Sequence, residues 1–187
     1  MKKTLLATLI LTVAGSAVFA ATSVWNQEPQ MPKPTAQHKA LQEGVGNWEG
    51  TVTMFMPGVP EMPMPASEVV TAQGPFWVHS YFTTSMGPMG EYNGFGYSGY
   101  DPIAKQYVGT WMDNVSTTFS VMKGNYDKQG KVLTMKWKAP DAMGKMTEMY
   151  NETVRTKDAY TITFFANGEK NMVIDMKRVE DKAKGKR

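Results

Sequence analysis

From Trp48 to Val179 the chain alternates apolar and polar side chains with a period of two, broken only where turn residues cluster. In the first such stretch Trp48, Val52, Met54 and Met56 share one face, while Glu49, Thr51 and Thr53 share the other. Leu133, Met135 and Trp137 oppose Thr134, Lys136 and Lys138 in the same way, and Met172, Ile174 and Met176 oppose Asn171, Asp175 and Lys177. The pattern predicts ten strands: Trp48–Met56, Ser67–Gln73, Phe76–Thr84, Tyr92–Asp101, Gln106–Asp113, Thr117–Tyr126, Val132–Lys138, Lys145–Arg155, Ala159–Ala166 and Lys170–Val179. Gln73-Gly74-Pro75, Asp101-Pro102, Asp127-Lys128-Gln129-Gly130, Ala139-Pro140-Asp141 and Asn167-Gly168 supply turn chemistry between them, the last as a tight hairpin. The proline-rich stretch Pro57–Pro65 reads as a loop.

These connections are too short for crossover helices, so consecutive strands are expected to be antiparallel neighbours. A period of 3.6 residues is sustained only over Ala36–Glu43. There Thr35 offers a cap, Gly44 a stop, and His38 and Leu41 fall on one face. One apolar and one polar face per strand is what a single-walled barrel produces, and closure also removes both sheet edges. The expectation is an all-β fold, an up-and-down antiparallel barrel of about ten strands over residues 35–179, with a short N-terminal helix. The Trp48/Met54 side would face inward.

The ends of the chain add a location. Met1-Lys2-Lys3 precedes an apolar run from Leu5 to Phe19, and Val18 and Ala20 place small side chains ahead of Ala21. This is the form of a cleavable secretory signal over residues 1–20, and it predicts a periplasmic or secreted product. The run is shorter than the roughly 20 apolar residues that a membrane anchor needs, so no stable membrane insertion is expected. Residues 21–34 read as a flexible leader and 180–187 as a charged, disordered tail. With no Cys there is neither a lipid-bearing thiol nor a disulfide, and stability must come from core burial. Lys2 and Lys3 supply two of the net charges in a total of +3, so the remaining chain is near neutral and carries no electrostatic case for nucleic acid.

Gly46-Asn47-Trp48, just after the helix and opening the first strand, resembles the Gly-x-Trp motif of calycins, the superfamily of lipocalins and fatty-acid-binding proteins. That resemblance implies that Gly46 and Trp48 form a barrel floor, with a basic residue of the last strand over the indole; Arg178 is in register for that part. Further motifs follow in order: Met31-Pro32-Lys33-Pro34, His38-Lys39, Gly46-Asn47-Trp48-Glu49-Gly50, Met54-Phe55-Met56-Pro57-Gly58, Gly99-Tyr100-Asp101-Pro102 and Tyr107-Val108-Gly109-Thr110-Trp111. Together they resemble the bacterial family known as domain of unknown function 1579, a lipocalin-like barrel, over about Met31 to Val179. The resemblance implies the fold and no activity.

Candidate chemistry then divides into binding and catalysis. Met54, Met56, Trp77, His79, Tyr81, Trp111, Met135, Trp137, Tyr150, Phe164 and Ile174 are the expected lining of a site for a small apolar or amphipathic molecule. The same side chains would serve a filled core, but ten strands enclose a wider lumen than eight, which already suffices for a small ligand. Glu148 and Glu152 share a strand face with Tyr150 and Met146. Turned inward they would offer acid–base groups, and turned outward a solvated stripe, the reading preferred here. His79 is a candidate haem ligand set against a structural histidine, and His38 reads as a surface or lid residue. The methionines, 16 in all, include Met62 and Met64 in the proline-rich stretch; Cu(I) binding there competes with ordinary packing by a pliable side chain. No Gly-x-Ser-x-Gly, His-Glu-x-x-His or phosphate loop is present, and Gly94-Phe95-Gly96-Tyr97-Ser98-Gly99 reads as a strand with bends. No catalytic residue, metal site or cofactor is assigned; an enzyme of the barrel interior stands as the alternative.

Overall fold

Alternation becomes architecture wherever each polar–apolar pair can point one side to water and the other to a shared interior. The computed structural model describes residues 31–58, 60–140 and 144–180, so the expected signal segment, most of the expected leader and nearly all of the expected tail lie outside the described residues. One helix, α1 (Ala36–Gln42), precedes β1 (Gly46–Met54), β2 (Met64–Gln73), β3 (Trp77–Ser85), β4 (Glu91–Asp101) and β5 (Gln106–Asp113). Then come β6 (Ser120–Tyr126), β7 (Val132–Pro140), β8 (Met146–Arg155), β9 (Ala159–Ala166) and β10 (Glu169–Val179). Every strand pairs antiparallel with its sequence neighbours, and β1 pairs with β10 from Asn47↔Val179 to Met54↔Met172, closing a ten-stranded barrel.

The strand ends depart from expectation in a few places, each for a local reason. β1 begins two residues early, at Gly46, and stops at Met54, leaving Met56 outside it. β2 begins at Met64, so the end of the proline-rich stretch joins the sheet. Pro65 pairs with Thr51 at the start of the strand, where a missing N–H is tolerated, and its carbonyl accepts a 2.8 Å bond from Thr84 Oγ1. β7 runs through Pro140 rather than ending at Lys138. At the β9–β10 hairpin Asn167 and Gly168 take φ of 52° and 84°, the left-handed pair that a two-residue turn of the primed type requires.

The expected inward side of β1 is the observed one. Trp48 and Val52 are buried, and cross-strand pairing carries that side around the wall through Trp48↔Glu68, Glu68↔Phe82, Phe82↔Gly94 and Gly94↔Asp113. Register therefore assigns Val78, Ser80 and Phe82 of β3 to the interior. Trp77, His79 and Tyr81 lie on the outer wall, a correction to the expected lining. Both faces of β3 carry bulky side chains, so alternation alone cannot choose between them; the partner strand does.

The helix plugs one end of the barrel. Thr35 N–H donates to His38 Nδ1 at 3.0 Å, and the imidazole is buried edge-on between Phe76 and Tyr100, with ring centroids 5.2 and 5.8 Å away. His38 is thus the anchor of α1 rather than a surface residue. Leu41, on the same helix face, packs on the core below.

Candidate functional site

The closed end is built around Trp48, which is 1% exposed and whose Nε1 donates to the Gly44 carbonyl at 3.1 Å. The Arg178 guanidinium lies 4.2 Å from the indole centroid, donates to the carbonyls of Val45 and Glu43 at 2.7 Å each, and reaches Lys157 O at 3.1 Å. Gly46 has φ of 142°, and a Cβ there would collide with that guanidinium. Gly46, Trp48 and Arg178, the residues of the expected floor, meet at this end. A second cation, Arg155, sits 5.6 Å from the Trp48 ring and 5.0 Å from that of Tyr160.

Above the floor the strands enclose a cavity of about 620 Å³. It is within the range that holds drug-sized ligands. Exposure along β1 tells the two ends apart: Trp48 is sealed, whereas Met54, six residues on and on the same face, is 43% exposed. The β10 side repeats the gradient, from buried Ile174 and Met176 to partly exposed Met172. The lumen thus opens at the end formed by Met54, Met64, Met86, Val115 and Pro140.

Of the expected lining, Met54, Trp111, Met135, Trp137, Phe164 and Ile174 lie on this lumen. Trp77, His79, Tyr81 and Tyr150 do not, and Met56 is exposed beyond the end of β1. Trp77 and Tyr81 are 41% and 44% exposed; Trp77 covers Gly99, and His79 packs on Tyr97 at 4.9 Å. Tyr150 stacks flat on Phe165 at 4.5 Å on the outer wall of β8 and β9. Glu148 and Glu152 share that outer side, and Glu148 makes only a 4.0 Å surface pair with Lys138. His79, pointing away from the lumen, is in no position to ligate a haem held there. Met64 faces the lumen and Met62 is exposed, so the proposed copper pair does not converge on one pocket. No cluster of three His, Cys, Asp or Glu suited to a metal exists among the described residues.

Sequence reasoning missed the polar groups of the lumen. Glu68 points inward from β2 and accepts short hydrogen bonds from Ser80 Oγ and Tyr160 OH. Burial, with the Glu68 carboxylate beside it, holds the Tyr160 phenol well above its usual titration range. Nearer the mouth Trp111 Nε1 donates to Tyr92 OH at 2.8 Å, and that hydroxyl donates weakly to Asp113 Oδ2 at 3.3 Å. Burial pushes the Tyr92 phenol up to about 12. The Trp111 indole lies against Gly94, whose register partner is Asp113, and any Cβ at Gly94 would strike it, so the bend-rich β4 makes room for a lumen tryptophan. Asn151, on β8 between Met149 and Thr153, is 8% exposed. Its Oδ1 and that of Asn171 are buried and accept no hydrogen bond from the described residues. The signal for Glu68 was present, since it is an even-numbered neighbour of Ala66 and Val70, but a charged residue in an apolar row reads as outward until the pairing is known.

No helix among the described residues is long and apolar enough to cross a membrane. The barrel is similar to the crystal structure of Rv2717c from M. tuberculosis, at 13% identity and a TM-score of 0.58 over 79% of this chain and 100% of that one. A redesigned β-barrel matches at 9% identity and a TM-score of 0.42, over 79% and 100% of the two chains. The first likeness speaks to the fold alone. No curated protein matches the chain. Residues 33–179 match the family described as protein of unknown function (DUF1579), and the chain belongs to that family.

Proposed function

We propose that this protein binds a small amphipathic molecule in its lumen, without transforming it, and that it does so outside the cytoplasm. The observation that carries the reading is the lumen itself: about 620 Å³, sealed by Trp48, Arg178 and α1 at one end and open at the other. Its wall is mainly apolar, with Trp137 and Phe164 edge-to-face at 6.2 Å and methionines on several strands. Methionine side chains adapt to irregular guests at little strain, which suits a site whose guest varies in shape. A few fixed polar groups among apolar walls are the usual composition of a small-molecule site.

Export rests on the Lys2-Lys3 start, the apolar run and the small residues before Ala21. N-terminal sequencing of protein recovered from its native cell envelope should begin at Ala21; an intact Met1 there would remove this part of the proposal.

Binding is tested with Nile red, a neutral apolar dye. The full-length protein should enhance and blue-shift its emission saturably, at one dye per chain. Gly109→Met is the informative variant, because a Cβ at Gly109 would sit 3.4 Å from Met122 and 3.6 Å from Met135, ordinary contact distances that leave the fold intact while the side chain fills the lumen. We expect at least a tenfold weaker dye affinity in this variant. Equal affinity in both proteins would place the dye elsewhere.

A further inference from the structure

We infer that the lumen selects amphiphiles whose polar end donates hydrogen bonds, an amine or an alcohol, and discriminates against carboxylate-headed lipids. The inference rests on the lumen-binding reading above and specifies its ligand class. The charged groups on the lumen wall are Glu68, Asp113 and Arg155, and the lining includes neither Lys nor His. Arg155 lies at the floor, over the rings of Trp48 and Tyr160, so a cation stands beside the phenol that bonds to Glu68. Asp113, towards the mouth, has no such partner. Its Oδ1 accepts from Val115 N–H at 3.0 Å, and its Oδ2 holds only the long bond from Tyr92. The upper lumen is therefore negative, and a ligand carboxylate entering it meets repulsion without a cation to receive it.

Hydrogen-bond capacity points the same way. Asn151 is more than nine-tenths buried, lines the lumen, and leaves Oδ1 unpartnered; half-buried Asn171, at the register shift between Lys170 and Met172, also lines the lumen and leaves a buried Oδ1 unpartnered. A buried acceptor without a donor is costly, and such groups mark places where a guest supplies the missing hydrogen. Two unpartnered carbonyl oxygens and an under-used carboxylate make the wall rich in acceptors. Only a donor on the guest satisfies them; a carboxylate brings acceptors to acceptors.

Decylamine, decanol and decanoate share one chain and differ in the head group, so their displacement of Nile red from the full-length protein at neutral pH isolates this preference. The expected order is decylamine, then decanol, then decanoate, with at least a tenfold separation between the first and the last. Asn151→Leu, close in volume, should reduce the decanol affinity severalfold more than it reduces the Nile red affinity measured directly on the same variant. Asp113→Asn should narrow the gap between decylamine and decanoate. Decanoate binding as tightly as decylamine would overturn the inference and leave the lumen reading standing, as would an Asn151→Leu protein whose decanol affinity, relative to Nile red, is unaltered. Failure of Nile red itself to bind would remove both.

Discussion

At Gly46 a positive φ and an arginine meet in the same few ångströms. The 142° torsion suits glycine, and the Arg178 guanidinium occupies the space a side chain would take. Gly46→Ala is therefore expected to destabilise the barrel by about 1–3 kcal/mol through backbone strain and displacement of the cation. Arg178→Met should cost about 2–3 kcal/mol, since it removes charge-assisted bonds to the carbonyls of Val45 and Glu43 together with the contact to Trp48. Urea denaturation measures both, and a change below about 0.5 kcal/mol, the usual surface value, would show that the floor is not held this way. Tyr92 makes a prediction in pH. Its pKa is near 10 in the unfolded chain and about 12 in the barrel, so the folded state keeps a proton that the unfolded state gives up. Stability is untouched below pH 10 and falls as pH rises from 10 towards 12. In Tyr92→Phe the thermal midpoint should decline less steeply across that window, and an identical decline would exclude the phenol as a contributor. The floor was legible because Gly46 and Trp48 sit at the start of an alternating strand and Arg178 at the end of the last. Glu68 and Asn151 were not, because their inward direction is set by pairing with Trp48 and with Phe164 across other strands.

Elements differ in how strongly their own residues declare a face. In β5 and β9 the expected boundaries are the observed ones, since turn residues bracket both and their partners are hairpin neighbours. β10 declares its inward side through Met172, Ile174 and Met176 against charged residues. β3 cannot do so: Trp77, His79 and Tyr81 compete with Val78 and Phe82, and the outer set is the more aromatic. Its orientation is inherited from β2, where Ala66 and Val70 are buried and face Thr84 and Ser80. The consequence is specific. Trp77→Phe should leave Nile red affinity within about twofold of the parent, and it should remove an accessible tryptophan from acrylamide quenching. A loss of dye affinity comparable to that of a lumen variant would reverse the assignment of faces. For α1, the buried His38 and the lumen-facing Leu41 show that the helix is held to the barrel by one side. Leu41→Ala should destabilise by about 2–3 kcal/mol, in the lower part of the range for truncating a partly buried leucine.

For the molecule as a whole, closure of β1 on β10 converts ten half-buried strands into one wall with an inside, and the inside is not filled. The number of strands was readable from turn spacing, and a lumen wider than that of an eight-stranded barrel follows from it. Which end stays open could not be read, because it depends on α1 covering one rim while Met54 and Val115 at the other remain exposed. The methionines that make the sequence unusual also report on this arrangement. Met54, Met64, Met122, Met135, Met149 and Met172 line the lumen, whereas Met62 and Met146 lie outside and exposed. Methyl NMR of protein carrying labelled methionine, titrated with decylamine, reads every one of these positions at once. Binding in the lumen should give saturable shifts in the inner methyls and stationary resonances for Met62 and Met146; movement confined to the exposed methyls, with the inner ones still, would contradict binding there.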